Sequence, residues 1–267
     1  MTVATGIAKV NGTQLYYEIA GKGSPLVLIH GFLLDTRMWD DQFAPFEQHY
    51  RVIRYDARGF GKSALPTEEA YSPADDLKAL LDYLSITQAH IVGLSMGGGI
   101  GMDFAITYPE MTRTLSVADP LPNGYMSPEL GQSLTPIVER ASTAGGNAAN
   151  ELLLDHIIFA PAREHLEVSA RLKQMLIENP GWHWVNDDPN RVLEPPVMSR
   201  LHEIAVPTLI IHGERDMATF HEITTIMQQT VPNAQMVVLP GVGHMSNMEA
   251  PELFNAAVLS FLQSKAD

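Results

Sequence analysis

The chain has 267 residues and a mass of 29.4 kDa, enough for one large α/β domain with an insertion and ample to bury a core. With 17 Lys and Arg against 31 Asp and Glu, a net charge of −14 and a pI near 5.0, it lacks the basic face that nucleic acid requires. The absence of cysteine excludes disulfides and thiolate chemistry, leaving only His and carboxylates to hold a metal.

Met1 to Val10 contains no basic region followed by an apolar stretch, and no apolar run approaches the roughly 18 residues of a membrane span. A cytoplasmic protein that is neither exported nor membrane-anchored is expected. Val3 to Val10 and Gln14 to Ala20 flank Asn11-Gly12 and read as an antiparallel hairpin. Pro25 to Ile29 is an uninterrupted apolar run, suited to a strand buried on both faces, and it ends in His30-Gly31-Phe32. There Gly31 permits unusual torsions, and the Phe32 amide is placed to donate to an oxyanion. His30, directly after a buried strand, reads as hydrogen-bonded scaffold rather than a base. Asp35, Arg37 and Trp39 read as loop anchors, with Trp39 opening a helix to His49.

Arg51 to Tyr55 is a further strand, followed by the turn Asp56 to Ser63. The turn lacks the first glycine that a phosphate loop requires five residues before Gly61, which argues against nucleotide binding, and Asp56 and Arg58 are expected to pin the turn by a local ion pair. Ser72-Pro73 starts a helix, with Ser72 as a hydroxyl cap, in which Leu77, Leu80, Leu81 and Leu84 form an apolar stripe.

Ala89 to Val92 then leads into Gly93-Leu94-Ser95-Met96-Gly97, and a helical stretch from Ile100 to Tyr108 leaves it. Strand, Gly-x-Ser-x-Gly and helix in succession form a nucleophile elbow: a strained turn lifts the Ser95 hydroxyl out of the sheet, and the flanking glycines let strand and helix approach. Ser95 is the candidate nucleophile, and the Met96 amide at the helix start is the other oxyanion donor. A strand over Thr112 to Ala118 follows, ending in Asp119-Pro120.

From Leu121 to about Ser199 buried strand runs give way to helical segments, expected over Ala149 to Phe159 and Arg163 to Glu178. Leu152, Leu153, His156 and Phe159 mark one apolar face, and Leu166, Ala170, Leu172, Met175 and Leu176 another. Residues 121–199 are therefore expected to form a helical cap or lid over a core made of 1–120 and 200–267. Phe159 and Trp182 are candidate pocket residues, with Trp182, His183 and Trp184 expected in a loop. Val206 to Ile211 resumes the strand pattern and is followed by Asp216. Gln235 to Leu239 is followed by His244, and a closing helix runs from about Pro251 to Gln263, with Leu253, Phe254, Ala257, Val258, Phe261 and Leu262 expected to be buried.

Strands in a parallel sheet share one carboxyl edge, so Phe32, Ser95, Asp216 and His244 should converge there. The order nucleophile, acid, base is that of the α/β-hydrolase arrangement. Asp119, also at a strand end, is the alternative acid. His165, His202 and His221 lack the spacing of a helical zinc site, and no metal is expected.

On His30-Gly31-Phe32, Gly93-Leu94-Ser95-Met96-Gly97, Gly213-Glu214-Arg215-Asp216 and Gly241-Val242-Gly243-His244, the chain resembles the α/β-hydrolase superfamily. Asp35 to Asp40, Arg54 to Gly59 and the elbow are similar to its branches of 3-oxoadipate enol-lactonase-like enzymes and small carboxylesterases. The resemblance implies a doubly wound, mostly parallel sheet with an antiparallel N-terminal hairpin and an inserted helical cap. It implies cleavage of a small-molecule carboxylic ester or lactone through an acyl-enzyme by Ser95, His244 and Asp216, with no cofactor. Carbon–carbon bond hydrolysis or perhydrolysis by the same triad, and a non-catalytic binding module, are the alternatives. Serine at the elbow argues against the haloalkane dehalogenases and epoxide hydrolases of this fold, which use aspartate there.

Overall fold

β-Branched and leucine-rich runs bounded by glycine and proline become eight strands in the computed structural model, which describes residues 3–265. Met1 and Thr2, at the start of the N-terminal stretch considered above, lie outside the described residues, as do Ala266 and Asp267. The strands are β1 (Ala4–Val10), β2 (Thr13–Ala20), β3 (Pro25–Ile29), β4 (Arg51–Tyr55), β5 (Ala89–Leu94), β6 (Thr112–Ala118), β7 (Thr208–Gly213) and β8 (Ala234–Leu239). They form one sheet in the order β1-β2-β4-β3-β5-β6-β7-β8. The β1–β2 and β2–β4 pairs are antiparallel, and every pair from β4 to β8 is parallel. Every residue of β5 and β7 is buried, as strands covered on both faces require. The chain therefore has the α/β-hydrolase fold.

The helices are α1 (Asp40–Glu47), α2 (Pro73–Tyr83), α3 (Met96–Thr107), α4 (Pro128–Ala144), α5 (Gly146–Leu153), α6 (Leu166–Glu178), α7 (Trp182–Val185), α8 (Ala218–Thr230), α9 (Ser246–Glu249) and α10 (Pro251–Gln263). The first packs with α10, while α2 packs with α3, which lies along β5 and β6. Parallel strands joined by crossovers bring the chain back to the same edge each time. Residues 32, 95, 119, 216 and 244 all lie just past strand ends on that edge.

Several local expectations are corrected. The helix expected from Trp39 begins at Asp40, after a 3₁₀ turn over Thr36–Trp39. Ser72 makes no side-chain cap hydrogen bond; the start of α2 relies instead on Pro73, whose fixed φ suits the first turn. Asp56 and Arg58 do not pair with each other. Asp56 accepts the amides of Thr36 and Lys62, and Arg58 forms a two-pronged bond with Asp76 of α2 at 2.7 and 2.8 Å.

In the segment between β6 and β7, α4 is a helix that the sequence reading did not place. Pro128 at its N-terminus, the Ser127 hydroxyl accepting the Leu130 amide, and buried Leu130, Ile137 and Ala141 define it. The expected single helix from Ala149 to Phe159 ends at Leu153 and gives way to a 3₁₀ turn over Ile157–Phe159, and Leu152 is exposed. The inner face of α6 is Val168, Leu172, Met175 and Leu176, whereas Leu166 and Ala170 point to solvent. Spacing i, i+4, i+7 and i+8 from Val168 makes that stripe. Leu253 is likewise exposed on α10, one position before the buried stripe that starts at Phe254.

Candidate active site

Ser95 bridges β5 and α3 with φ 55° and ψ −119°, a backbone state that a residue with a Cβ adopts only when its surroundings impose it. Close approach imposes it here. A Cβ on Gly93 would collide with the carbonyl of Gly97, and one on Gly97 with the carbonyls of Ile29 and His30. The bend is held by hydrogen bonds from the Ser95 amide to the Ala118 carbonyl at 2.9 Å and from the Leu121 amide to the Ser95 carbonyl at 2.9 Å. The Ser95 hydroxyl has no hydrogen-bond partner among the described residues and borders a cavity of ≈ 470 Å³.

Phe32 and Met96 line the same cavity, and neither amide is engaged by another group among the described residues. Gly31 reaches this position without a positive φ. The left-handed residue in the loop is Leu33 at 59°, and Gly31 instead brings its backbone against Ser95, where a Cβ would lie 3.7 Å from that of the serine. His30 is scaffold: its Nε2 accepts the Ala57 amide at 2.9 Å, which leaves the Nδ1 proton to donate to the Gly31 carbonyl at 2.8 Å. Asp35 binds Arg37 through two side-chain bonds, and Trp39 is buried.

His244 follows β8, with its Nδ1 2.7 Å from Oδ2 of Asp216, and both side chains are almost wholly buried. Asp216 is oriented by its own turn, since Oδ1 accepts the Met217 amide at 2.7 Å. A carboxylate can only accept, so Nδ1 carries the proton and Nε2 is left as the basic nitrogen. Burial opposes the charged imidazolium, but the charge and hydrogen bond of Asp216, with Asp119 and Glu249 further off, outweigh it and hold His244 above its ordinary range. The Glu249 carboxylate also accepts the amides of Gly243 and Met245, which fixes the turn on either side of the imidazole. Among the described residues Asp119 makes no hydrogen bond to His244; it binds His212 Nδ1 at 2.7 Å and the Gly213 amide at 3.2 Å.

The cavity wall is mostly apolar. Phe159 lines it, as do Leu130, Leu153 and Phe220. Trp182 does not: it lies on a shallow outer groove with Glu68 and Asp187, while His183 and Trp184 face the cavity instead. The three residues form helix α7 rather than a loop, so neighbouring side chains point about 100° apart, and only part of the trio can face inward. His183 stacks on Phe60 with ring centroids 4.3 Å apart, and burial pushes its imidazole down to about 4, so it is neutral near pH 7. Trp184 Nε1 donates to Asn150 at 2.8 Å, and Asn179 of the same polar cluster donates to the Leu33 carbonyl, tying this segment to the loop that carries Phe32.

Glu249 and His212 escaped the sequence reading because neither sits in a motif; their roles arise from backbone amides and a buried carboxylate that only the folded chain brings near. Among the described residues no cluster of His, Asp and Glu could hold a metal ion, and no helix is long and apolar enough to cross a membrane.

A strained serine at a strand–helix elbow and an imidazole on a buried carboxylate, at one edge of a doubly wound sheet, define a hydrolase of this architecture as a class. The chain matches the Alpha/beta hydrolase family over residues 26–257 and belongs to it. It is 29% identical to a 3-oxoadipate enol-lactonase 2 from Acinetobacter baylyi, covering 91% of each chain. It is 26% identical to a 2-hydroxy-6-oxo-6-(2'-aminophenyl)hexa-2,4-dienoic acid hydrolase from Metapseudomonas resinovorans, covering 96% of this chain and 90% of the relative. Among solved structures, the enol-lactonase from Burkholderia xenovorans LB400 superposes with a TM-score of 0.82 at 27% identity, covering 97% of this chain and all of the other.

Proposed function

We propose that this hydrolase cleaves a small-molecule carboxylic ester or lactone through an acyl-enzyme, with Ser95 as nucleophile, His244 as general base and acid, and Asp216 as the orienting acid. The observation that carries the reading is the buried 2.7 Å contact between His244 and Asp216, with the imidazole bordering the same cavity as Ser95. Nε2 of His244 takes the Ser95 proton, the alkoxide attacks the carbonyl carbon, and the amides of Phe32 and Met96 receive the oxyanion. His244 then returns the proton to the departing alkoxide, which in a lactone stays tethered to the acyl group. Water, deprotonated by His244, attacks the acyl-enzyme, and as the ester bond to Ser95 breaks His244 returns that proton to the Ser95 oxygen, releasing the acid and restoring the resting enzyme. Catalytic hydrogen bonds of this kind commonly tighten only when substrate is seated, which accommodates a Ser95 hydroxyl without a partner among the described residues.

Residues 121–199 serve in this reading as the cap that selects substrate, since they supply Leu130, Leu153 and Phe159 to the cavity wall. The volume suits a compact ligand with an apolar body.

Turnover of short and long aryl esters, lactones and a dienoate by the parent and by Ser95→Ala tests the proposal. Ser95-dependent release of acid from esters or lactones is expected, and Phe159→Ala should shift the ranking toward bulkier acyl groups. Ester turnover that survives Ser95→Ala would overturn it. Ser95-dependent turnover of the dienoate alone would favour carbon–carbon hydrolysis, the activity named for the Metapseudomonas relative.

A further inference from the structure

A second acid–imidazole pair lies on the same sheet edge. Asp119 directly follows β6, is fully buried, and holds φ at 41°, a conformation that Asp and Asn tolerate best among residues with a Cβ. Its Oδ1 lies 2.7 Å from His212 Nδ1, and both of its oxygens lie 3.2 Å from the Gly213 amide. His212 sits near the end of β7 and is buried, and its Nε2 lies 2.6 Å from Nδ1 of His221, a half-buried residue of α8.

With Asp119 ionised and His212 neutral, as burial favours, the hydrogens have one consistent arrangement. His212 donates from Nδ1, so its Nε2 accepts from Nδ1–H of His221, whose own Nε2 is left as an acceptor. The donors run in one direction from the half-buried His221 to a carboxylate that solvent does not reach. The Gly213 that Asp119 holds by its amide also accepts the Asp216 amide at 3.0 Å, so Asp119 is joined through one residue to the turn that carries Asp216, and the charges of Asp216 and His244 both act on it. Burial, then the charge of Asp216, push the Asp119 carboxyl well above the usual carboxylate range. Glu249 also acts on His244 by charge, and His212 and His156, both held below the ordinary histidine range chiefly by burial, feel it.

We propose that Asp119 is a second acid of the site, a positioning residue tied through Gly213 to the turn of Asp216, whose charge is governed by the His212–His221 chain and acts on His244. The proposal rests on the triad reading above. When Asp119 is ionised, two carboxylates favour the imidazolium and His244 is the stronger base; when Asp119 holds a proton, Asp216 acts alone. The two donated hydrogen bonds favour the ionised form, so breaking the chain at its outer end keeps Asp119 neutral to higher pH.

The test is the pH dependence of kcat/KM for p-nitrophenyl acetate, measured from about pH 5 to 9, for the parent, Asp119→Asn, His221→Phe and Ser95→Ala. Asp119→Asn keeps the shape and the tolerated φ while removing the charge. Its acid limb is expected to move down by roughly one pH unit with KM unchanged. His221→Phe alters a half-buried position and should move the limb the same way by less. Nitrogen-15 histidine spectra should report His212 with its proton on Nδ1. Loss of thermal stability with parental acid limbs in both variants, or a His212 protonated on Nε2 alone, would make Asp119 mere scaffold and overturn the proposal. Parental activity in Ser95→Ala would instead overturn the triad reading, so the two failures are distinct.

Discussion

Asp216 has one task in this account, to hold the imidazole of His244 with its proton on Nδ1, and a single oxygen-to-nitrogen change isolates that task. Asp216→Asn offers an amide where a carboxylate accepted, which favours the tautomer with the proton on Nε2 and leaves no base facing Ser95. Turnover number on an aryl ester should fall by about 10⁴-fold while the thermal midpoint changes little, and activity measurements beside calorimetry check both. The pH sign follows from the raised basicity of His244. An imidazolium cannot accept the Ser95 proton, so activity rises as pH climbs through a midpoint above the ordinary histidine value and is lost below it. At this scale the sequence was informative. Ser95, Asp216 and His244 were legible because each closes a strand within a glycine-rich turn. Glu249 was not, because its partners are the amides of Gly243 and Met245, and an amide leaves no mark in a sequence.

Helix α3 pushes the elbow forward, and it carries one residue that works against its own stability. Asp103 is buried on this helix, and among the described residues its Oδ1 has no hydrogen-bond partner and its Oδ2 is reached only by Asn123 at 3.4 Å. Burial pushes its carboxyl up to about 7, against weaker help from Asn123 and Arg200. The unfolded chain releases this proton at the ordinary aspartate value, so the folded state binds more protons between that value and about 7. The penalty grows as pH rises across this window and is complete above it. Asp103→Asn should therefore stabilise the fold by on the order of 3 kcal/mol at about pH 8 and by much less at about pH 5, read from urea unfolding midpoints. A gain equal at both pH values would contradict the assignment.

Element placement was legible where periodicity was strong. The strands β3, β4 and β6 and the helix α10 fall where apolar runs and proline punctuation put them. Helix α4 was missed because only Leu130, Ile137 and Ala141 are buried among polar neighbours, and Leu166 was placed inward although it is 87% exposed. A helix that covers a cavity, rather than packing a core, shows a diluted stripe.

For the whole molecule, the decisive property is that crossovers return the chain to one edge, so groups separated by most of the sequence border one cavity. That convergence followed from the alternation of strands and helices, which implies a parallel sheet with one carboxyl edge. The exchange of Trp182 for His183 and Trp184 in the cavity wall did not, because it depends on which way a four-residue helix is turned. Strain at Ser95 and burial of the Asp216–His244 pair both cost stability, and a large buried sheet carries such costs without unfolding.

If Ser95 is a nucleophile activated by His244, it must react covalently with an electrophile that mimics an acyl group. The most direct measurement is covalent labelling of the folded protein by a serine-directed aryl phosphonate, read by intact mass and by mapping the modified peptide. One phosphonyl group per chain is expected, located on Ser95, lost in Ser95→Ala and strongly slowed in His244→Ala. Absence of labelling at Ser95, or labelling at the same rate without His244, would contradict it.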